Sequence, residues 1–244
     1  MSDIKTYQFN ENPLIQREGG ITSQNFLPNV FLWMFVALAI SAASTYMFST
    51  NNTLISYLVN GETGSITGLG IAARFAPLAF VLILSFGMNR LSFSVVALLF
   101  VLFAAVMGIS ISFNLMLYTA SSVLGCFISA SLLFAVMAVA GYTTSTDLTN
   151  FGSILIMFLI GIVIASVVNI FLGSSQLDYI ISFIGVAVFI GLTAYDVQRI
   201  KRIGEGIEYG DASASKLVIM GALSLYLDFI NLFLMLLRVF GSRR

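Results

Sequence analysis

Two aspartates inside long apolar segments are the residues of this sequence best suited to carry chemistry. Asp228 lies in LSLYLDFINLFLMLL, and Asp196 lies in FIGLTAYDVQRIKRIG. If these segments cross a membrane, an ionised aspartate at mid-membrane costs about 2.5–3.5 kcal/mol on insertion scales. Such a side chain is seldom left facing lipid, so it is expected to face other helices and to be neutral, paired or hydrated.

Asp228 has two interpretations: a neutral acid that hydrogen-bonds a neighbouring helix, or a site for an ion or a proton. We favour the second. Small and polar residues recur around it at spacings of three and four, which places them on one helical face. This stripe predicts a central position for the helix, with Ser224, Asn231 and Arg238 as supporting polar groups. Its members are Gly221, Ser224, Asp228, Asn231, Met235 and Arg238.

Asp196 also has two interpretations, since it is either held near the membrane surface by Arg199, three residues later, or is the partner of Asp228. Two carboxyl groups brought together cannot both ionise at low cost. In a sequence without histidine, such a pair is a candidate proton sensor near neutral pH. Once deprotonated, the same oxygens are ligands that Ca²⁺ prefers, which makes Asp196 and Asp228 a candidate calcium site.

Two further positions near these segments need an interpretation. Arg90, directly after Asn89, ends the second apolar run and is either an anchor in the lipid headgroups or a counter-charge for the aspartate pair. Tyr195, beside Asp196, is expected to be a hydrogen-bonding packing group that supports the polar face.

The composition requires lipid as the solvent for most of the chain. Of 244 residues, 59% are hydrophobic and 9% charged, and the mean hydropathy is +1.00. A soluble domain carries about 25% charged residues. A net charge of zero argues against nucleic acid as a partner. One cysteine excludes a disulfide framework, and the absence of histidine argues against most metal-dependent and serine-histidine enzymes. We therefore expect no enzyme and no cofactor.

Seven apolar runs are long enough, or nearly so, to span a bilayer as helices. They predict an all-α integral membrane protein, a seven-transmembrane-helix bundle with the seventh helix central, over residues 28–241. Residues 1–27 are polar and are expected to form a mobile tail. The second run is marginal because Arg74 and Pro77 lie near its start. Proline is tolerated there if it falls in the first turn of the helix. The runs are 28–48, 71–88, 91–113, 120–141, 152–172, 179–198 and 217–240.

Basic residues near the ends of the runs predict a cytoplasmic amino terminus, because inner loops carry the excess of lysine and arginine. Only Arg74 falls in an outer loop, although Arg238, Arg243 and Arg244 at the carboxyl terminus oppose the trend. The predicted inner residues are Lys5, Arg17, Arg90, Arg199, Lys201, Arg202 and Lys216.

The two aspartate segments also carry a family resemblance. LTAYDVQRIK followed by ALSLYLDFINLFLMLLRVFG resembles the carboxyl-terminal signature of the Bax inhibitor family, the transmembrane Bax inhibitor motif proteins. The number of spans and the chain length agree with that family. The resemblance covers roughly residues 28–241, and LYLDFINLF is its most specific part. The polar amino-terminal tail and overall length resemble the bacterial YccA-type branch, which implies the bacterial plasma membrane.

The resemblance implies six helices around a central seventh and a di-aspartyl pH sensor at Asp196 and Asp228. It implies a pH-sensitive Ca²⁺ leak, in which a basic residue at the inner end of the second helix latches onto the pair. The aligned position here is Asn89, with Arg90 one residue later. YccA-type members also interact with a membrane-anchored AAA protease. The alternative function is therefore modulation of such a protease, without transport, with residues 1–27 as the handle.

Overall fold

The computed structural model describes residues 23–60, 65–88, 90–207 and 213–243. Within these ranges the chain forms eight helices, of which seven are long and apolar enough to cross a membrane. The helices are α1 (Ser23–Thr50), α2 (Asn52–Ser56), α3 (Gly68–Gly87), α4 (Phe93–Leu115), α5 (Ala120–Thr143), α6 (Thr149–Leu172), α7 (Ser175–Glu205) and α8 (Ala214–Phe240). The short α2 lies in the first connection. The predicted all-α seven-span architecture is confirmed.

Seven spans place the start of α1 and the end of α8 on opposite sides of the bundle, which are called here the amino face and the carboxyl face. Helix α1 begins at Ser23, so residues 23–27 of the predicted tail are helical. Phe26 is only 1% exposed and packs on Gly204 near the end of α7. Burial of this aromatic ring explains the earlier start. Residues 1–22 of the predicted tail lie outside the described residues.

Helix α3 corrects the expectation for Pro77. The helix begins at Gly68, so Pro77 is its tenth residue and does not lie in the first turn. The start is set by Thr67, whose hydroxyl accepts a hydrogen bond from Gly70 N at 3.1 Å and donates to the Tyr57 carbonyl at 2.6 Å. Because proline lacks an N–H group, the helix passes through Pro77 with one backbone hydrogen bond fewer.

Helix α7 extends seven residues beyond the predicted end of the sixth span, from residue 198 to Glu205. The apolar run ends where Arg199, Lys201 and Arg202 begin, but helical hydrogen bonding continues to the cap at Gly206. Asp196 therefore lies nine residues inside the helix, about 14 Å from its end. This depth brings Asp196 to the level of the middle of α8.

Burial is concentrated in α7 and α8. In their most apolar 18-residue stretches, 61% and 67% of residues are buried, compared with 11–33% in the other five spans. Helix α8 contacts α1, α4, α5 and α7, and α7 in turn contacts α1, α5 and α6. A central position for the seventh span stays a prediction, because α7 is almost as buried as α8.

The outer surface of the bundle is apolar, as contact with lipid requires. Large side chains on the outer helices are strongly exposed, among them Phe171 at 86%, Phe86 at 81% and Ile170 at 74%. A water-facing protein does not tolerate a continuous surface of this kind. The chain is therefore an integral membrane protein.

Polar groups are placed between the helices, where they fix the packing. Ser41 of α1 donates to the Ala104 carbonyl of α4 at 2.7 Å, and Thr45 donates to the Gly108 carbonyl at 2.8 Å. The Ser41 hydroxyl also lies 2.7 Å from the hydroxyl of Tyr226 on α8. These three bonds join α1, α4 and α8 through buried groups, which inside lipid have no water as an alternative partner.

Close contact between α5 and α7 depends on Gly141. A Cβ atom at this position would overlap the backbone of Ala194, two residues before Asp196. Gly141→Ala is expected to lower the free energy of unfolding by about 1–3 kcal/mol, since the helices must move apart. Thermal unfolding of the purified protein in detergent measures the change.

Gly125, also on α5, is the matched control, because a Cβ atom there meets nothing within 4 Å. Gly125→Ala is expected to leave stability unchanged or to raise it slightly, since alanine favours helix over glycine by about 0.5–1 kcal/mol. Equal destabilisation by both substitutions would contradict the close contact at Gly141.

Candidate functional site

The side chains of Asp196 and Asp228 are in direct contact between α7 and α8. Their carboxyl groups are close enough to share a hydrogen bond when one of them carries a proton. Both residues are buried, at 8% and 6% exposure. Helix α8 presents Asp228 near its middle, 14 residues from Ala214 and 12 from Phe240. The structure therefore brings together the two residues that the sequence singled out.

Asp228 has an incomplete set of hydrogen-bond partners. Its Oδ2 atom is fully buried, and no donor for it is present among the described residues. A buried polar atom without a partner costs about 1–3 kcal/mol, and more if it is charged. A proton on the pair, a water molecule or a cation would each remove this cost.

Arg199 supplies the positive charge next to the pair. Its Nη2 lies 3.3 Å from Asp196 Oδ1 and donates to the Ser224 hydroxyl at 3.1 Å. The Ser224 hydroxyl also lies near the Asp196 carboxyl group. The Arg199 side chain remains 44% exposed, so it connects the buried carboxyl groups to the amino face. Asp196 consequently has both of the partners that the sequence left as alternatives.

Tyr195 and α6 fix the position of Arg199. The guanidinium carbon lies 5.7 Å from the centre of the Tyr195 ring, within range of a cation–π contact. The ring packs directly on Gly152 of α6, where a Cβ atom would overlap it. Tyr195 therefore contributes to the site through the packing of its ring.

The connection between α5 and α6 is clamped to the same part of α7. Gln198 accepts from Leu148 N at 2.9 Å and donates to the Thr146 carbonyl at 2.8 Å. Arg202 pairs with Asp147 at 2.8 Å. Hydrogen bonds from the side chain and backbone of Thr149, together with Arg202, lower the pKa of Asp147 to about 2. The clamp keeps the amino-face end of α7 in place around Asp196.

The remaining predicted site residues lie at different distances from the pair. Asn231 is half-buried and lies one turn beyond Asp228. Arg238 is ten residues from Asp228, about 15 Å along the helix, and pairs with Asp178 at 3.4 Å on the carboxyl face. Arg90 is exposed, and its side chain pairs with neither aspartate in the described part of the chain. Asn89 lies outside the described residues.

Comparison with known proteins identifies the family. The chain matches the family described as Inhibitor of apoptosis-promoting Bax1 over residues 23–244. The chain belongs to the Bax inhibitor family. It is 43% identical to inner membrane protein YbhL of Escherichia coli strain K12, over 95% of this chain and 96% of that protein. It is 33% identical to an uncharacterised membrane protein of Streptococcus pyogenes serotype M3, over 93% and 97% of the two chains.

A third relative, an uncharacterised protein of Borreliella burgdorferi, is 40% identical over 95% of this chain and 98% of its own. The family that the aspartate segments indicated is therefore confirmed, and its relatives include bacterial proteins. Assignment to the YccA-type branch stays a prediction.

The aspartate pair of this Bax inhibitor family member offers few ligands to a metal ion. Within the described ranges, no cluster of three or more acidic, cysteine or histidine side chains is placed to hold a metal. Ca²⁺ takes about 6–8 oxygen ligands, whereas two carboxyl groups supply at most four. A cation at the pair would keep part of its water shell and bind weakly.

Sequence reasoning missed Gln198 and did not connect Ser224 with Arg199. Gln198 is only 6% exposed, and a glutamine this deeply buried must have hydrogen-bond partners. The signal in the sequence was its position two residues after Asp196, on a helix that continues beyond the apolar run. Its partners, in the connection before α6, could not be identified without the fold.

Ser224→Ala is expected to loosen the link between Arg199 and Asp196. Loss of one partly exposed hydrogen-bonded group should lower the free energy of unfolding by about 0.5–1.5 kcal/mol. Thermal unfolding in detergent measures it. Ser215→Ala, about two and a half turns earlier on α8, is the matched control, because Ser215 makes no side-chain hydrogen bond within the described residues. A larger effect at Ser215 than at Ser224 would contradict the network.

Proposed function

We propose that this Bax inhibitor family member is a pH-sensitive cation leak channel for Ca²⁺, gated by protonation of the Asp196–Asp228 pair. The channel works in the bacterial inner membrane, with the amino terminus in the cytoplasm, and catalyses no reaction. The observation that supports the proposal is the buried contact between two carboxyl groups with one arginine beside them.

The gate follows from the charge balance of three side chains. Arg199 is the only charged group in the described part of the chain that acts on both carboxyl groups. With one proton on the pair, the single negative charge is neutralised by Arg199, and a cation gains little by entering. When that proton leaves, the pair carries two negative charges against one positive charge. The uncompensated charge then attracts a cation, so the leak increases as pH rises.

Weak coordination suits a leak. Conduction requires a site that is favourable enough to enter and weak enough to leave. The two carboxyl groups supply too few oxygens to hold Ca²⁺ as a resident ion. Arg199 competes with the cation for Asp196 and so further shortens its stay. Ca²⁺ is therefore the permeant ion of the protein and is not its cofactor.

Calcium flux into vesicles tests the proposal. Purified protein is reconstituted in vesicles that contain a Ca²⁺-sensitive dye, and flux is measured over a pH series. Asp228→Asn limits the pair to one negative charge, which Arg199 balances, so we expect flux to fall at least about tenfold at every pH. Arg199→Gln leaves one uncompensated negative charge on the pair when a single proton is bound, so we expect flux to persist to lower pH than in the wild type.

The double variant Asp228→Asn with Arg199→Gln separates charge balance from damage to the fold. It restores one uncompensated negative charge, so flux is expected to return, with a pH dependence set by Asp196 alone. Glu205→Gln, which changes an exposed acid at the end of α7, is the control and should leave flux unchanged. Absence of flux in the wild type, or the same pH profile in all variants, would overturn the proposal.

The same vesicles distinguish the alternative function. Modulation of a membrane-anchored AAA protease depends on the polar tail, of which residues 1–22 lie outside the described residues. That function requires no transport, so it predicts no flux through the wild-type protein or any of the variants.

A further inference from the structure

Three arginines of the carboxyl face converge on one cavity. The cavity has a volume of about 210 Å³ and lies between the start of α3, the end of α4, the start of α7 and the end of α8. Its polar lining consists of Arg74, Asn114, Tyr118, Asp178, Arg238 and Arg243. Arg238 and Arg243 are close in sequence, and the fold brings Arg74 to them.

The cavity has more positive than negative charge. Arg238 pairs with Asp178 at 3.4 Å, and Arg243 lies over the Tyr118 ring at 6.0 Å. Neither Arg74 nor Arg243 forms an ion pair with a carboxylate of the described ranges. Among the described residues that line the cavity, three guanidinium groups face one carboxylate, which leaves two positive charges uncompensated. All three arginines are exposed, so they present this positive charge to anions at the surface of the protein.

The position of Arg243 is fixed by the backbone. Thr119 N donates to the Ser242 carbonyl at 3.0 Å, and Ser242 N donates to the Ser122 hydroxyl at 3.0 Å. The segment after α8 is thereby bound to the turn between α4 and α5. Its arginine lines the cavity and remains exposed.

These arginines are also the residues that depart from the distribution of charge along the sequence. Lysine and arginine gather at the amino face, and the basic residues of the carboxyl face are exceptions to that rule. Among described residues, the exceptions are Arg74, Arg238 and Arg243, and all three line this one cavity. A common ligand explains both their presence and their convergence.

We propose that this cavity binds the phosphate group of an anionic phospholipid at the carboxyl face. Arginine forms paired, charge-assisted hydrogen bonds with phosphate oxygens. Arg74 lies six residues inside α3, about 9 Å from its start, and an exposed arginine at such a position can extend its guanidinium group towards lipid headgroups. Leu117 on the cavity wall is 57% exposed, which gives the acyl chains an apolar surface next to the arginines. Free inorganic phosphate shares the same chemistry, and the experiment separates the two sources.

Lipid retention by the full-length protein tests the site. Protein purified in detergent is titrated with phosphatidylglycerol, and bound lipid is counted by native mass spectrometry. The double variant Arg74→Gln with Arg243→Gln keeps the Arg238–Asp178 pair and should bind phosphatidylglycerol at least about tenfold more weakly, since a hydrogen bond to a charged group is worth this factor or more. Asp178→Asn removes the competing carboxylate and should bind more tightly, which loss of structure could not produce.

Competition with inorganic phosphate identifies the source. If millimolar phosphate does not displace phosphatidylglycerol from the wild type, the lipid headgroup is the ligand. If phosphate displaces it and binds with the same dependence on Arg74 and Arg243, the site takes free phosphate. Arg202→Gln on the amino face is the matched control and should leave both affinities unchanged. Equal binding of phosphatidylglycerol and phosphate to the wild type, the double variant and Asp178→Asn would overturn the proposal.

Discussion

The contact between two carboxyl groups inside an apolar bundle is the constraint on which the rest of the site depends. Asp196 and Asp228 are less than a tenth exposed, and they cannot both be ionised without a compensating positive charge. Arg199 supplies that charge from the amino face. The surrounding packing serves this arrangement: Gly141 lets α5 approach α7, Gly152 admits the Tyr195 ring, and Gln198 clamps the adjacent connection.

Hydropathy was sufficient to predict the seven spans, because a bilayer requires about 20 apolar residues per helix and each run reaches that length or nearly so. It was insufficient for the ends of the helices. The sixth span was predicted to end at residue 198, where charged residues begin, but α7 continues to Glu205 with those charges on its exposed side. Pro77 was placed in the first turn of its helix for the same reason, but the start of α3 is set by hydrogen bonds of Thr67 and not by apolarity.

Periodicity along α8 had a similar limit. Spacings of three and four place Ser224, Asp228 and Arg238 on one face, but they do not fix depth. Ser224 reaches the pair through Arg199, whereas Arg238 serves the opposite end of the bundle. The partners of Asp196 could be predicted from the sequence, because Arg199 is three residues away and Asp228 is a charged residue in an otherwise apolar span. The arginine cavity could not, because its members come from four chain segments that only the fold brings together.

The most direct measurement of the central claim is the protonation of the two carboxyl groups in a bilayer. Infrared difference spectra between low and high pH detect protonated carboxyl groups of the protein in phospholipid vesicles. Comparison of the wild type with Asp196→Asn and with Asp228→Asn assigns each carboxyl band to one residue. If the two groups are in contact, each substitution removes one carboxyl band and shifts the pH midpoint of the other. If each substitution removes one band and leaves the other midpoint unchanged, the groups titrate independently, and the account of a coupled pair is contradicted.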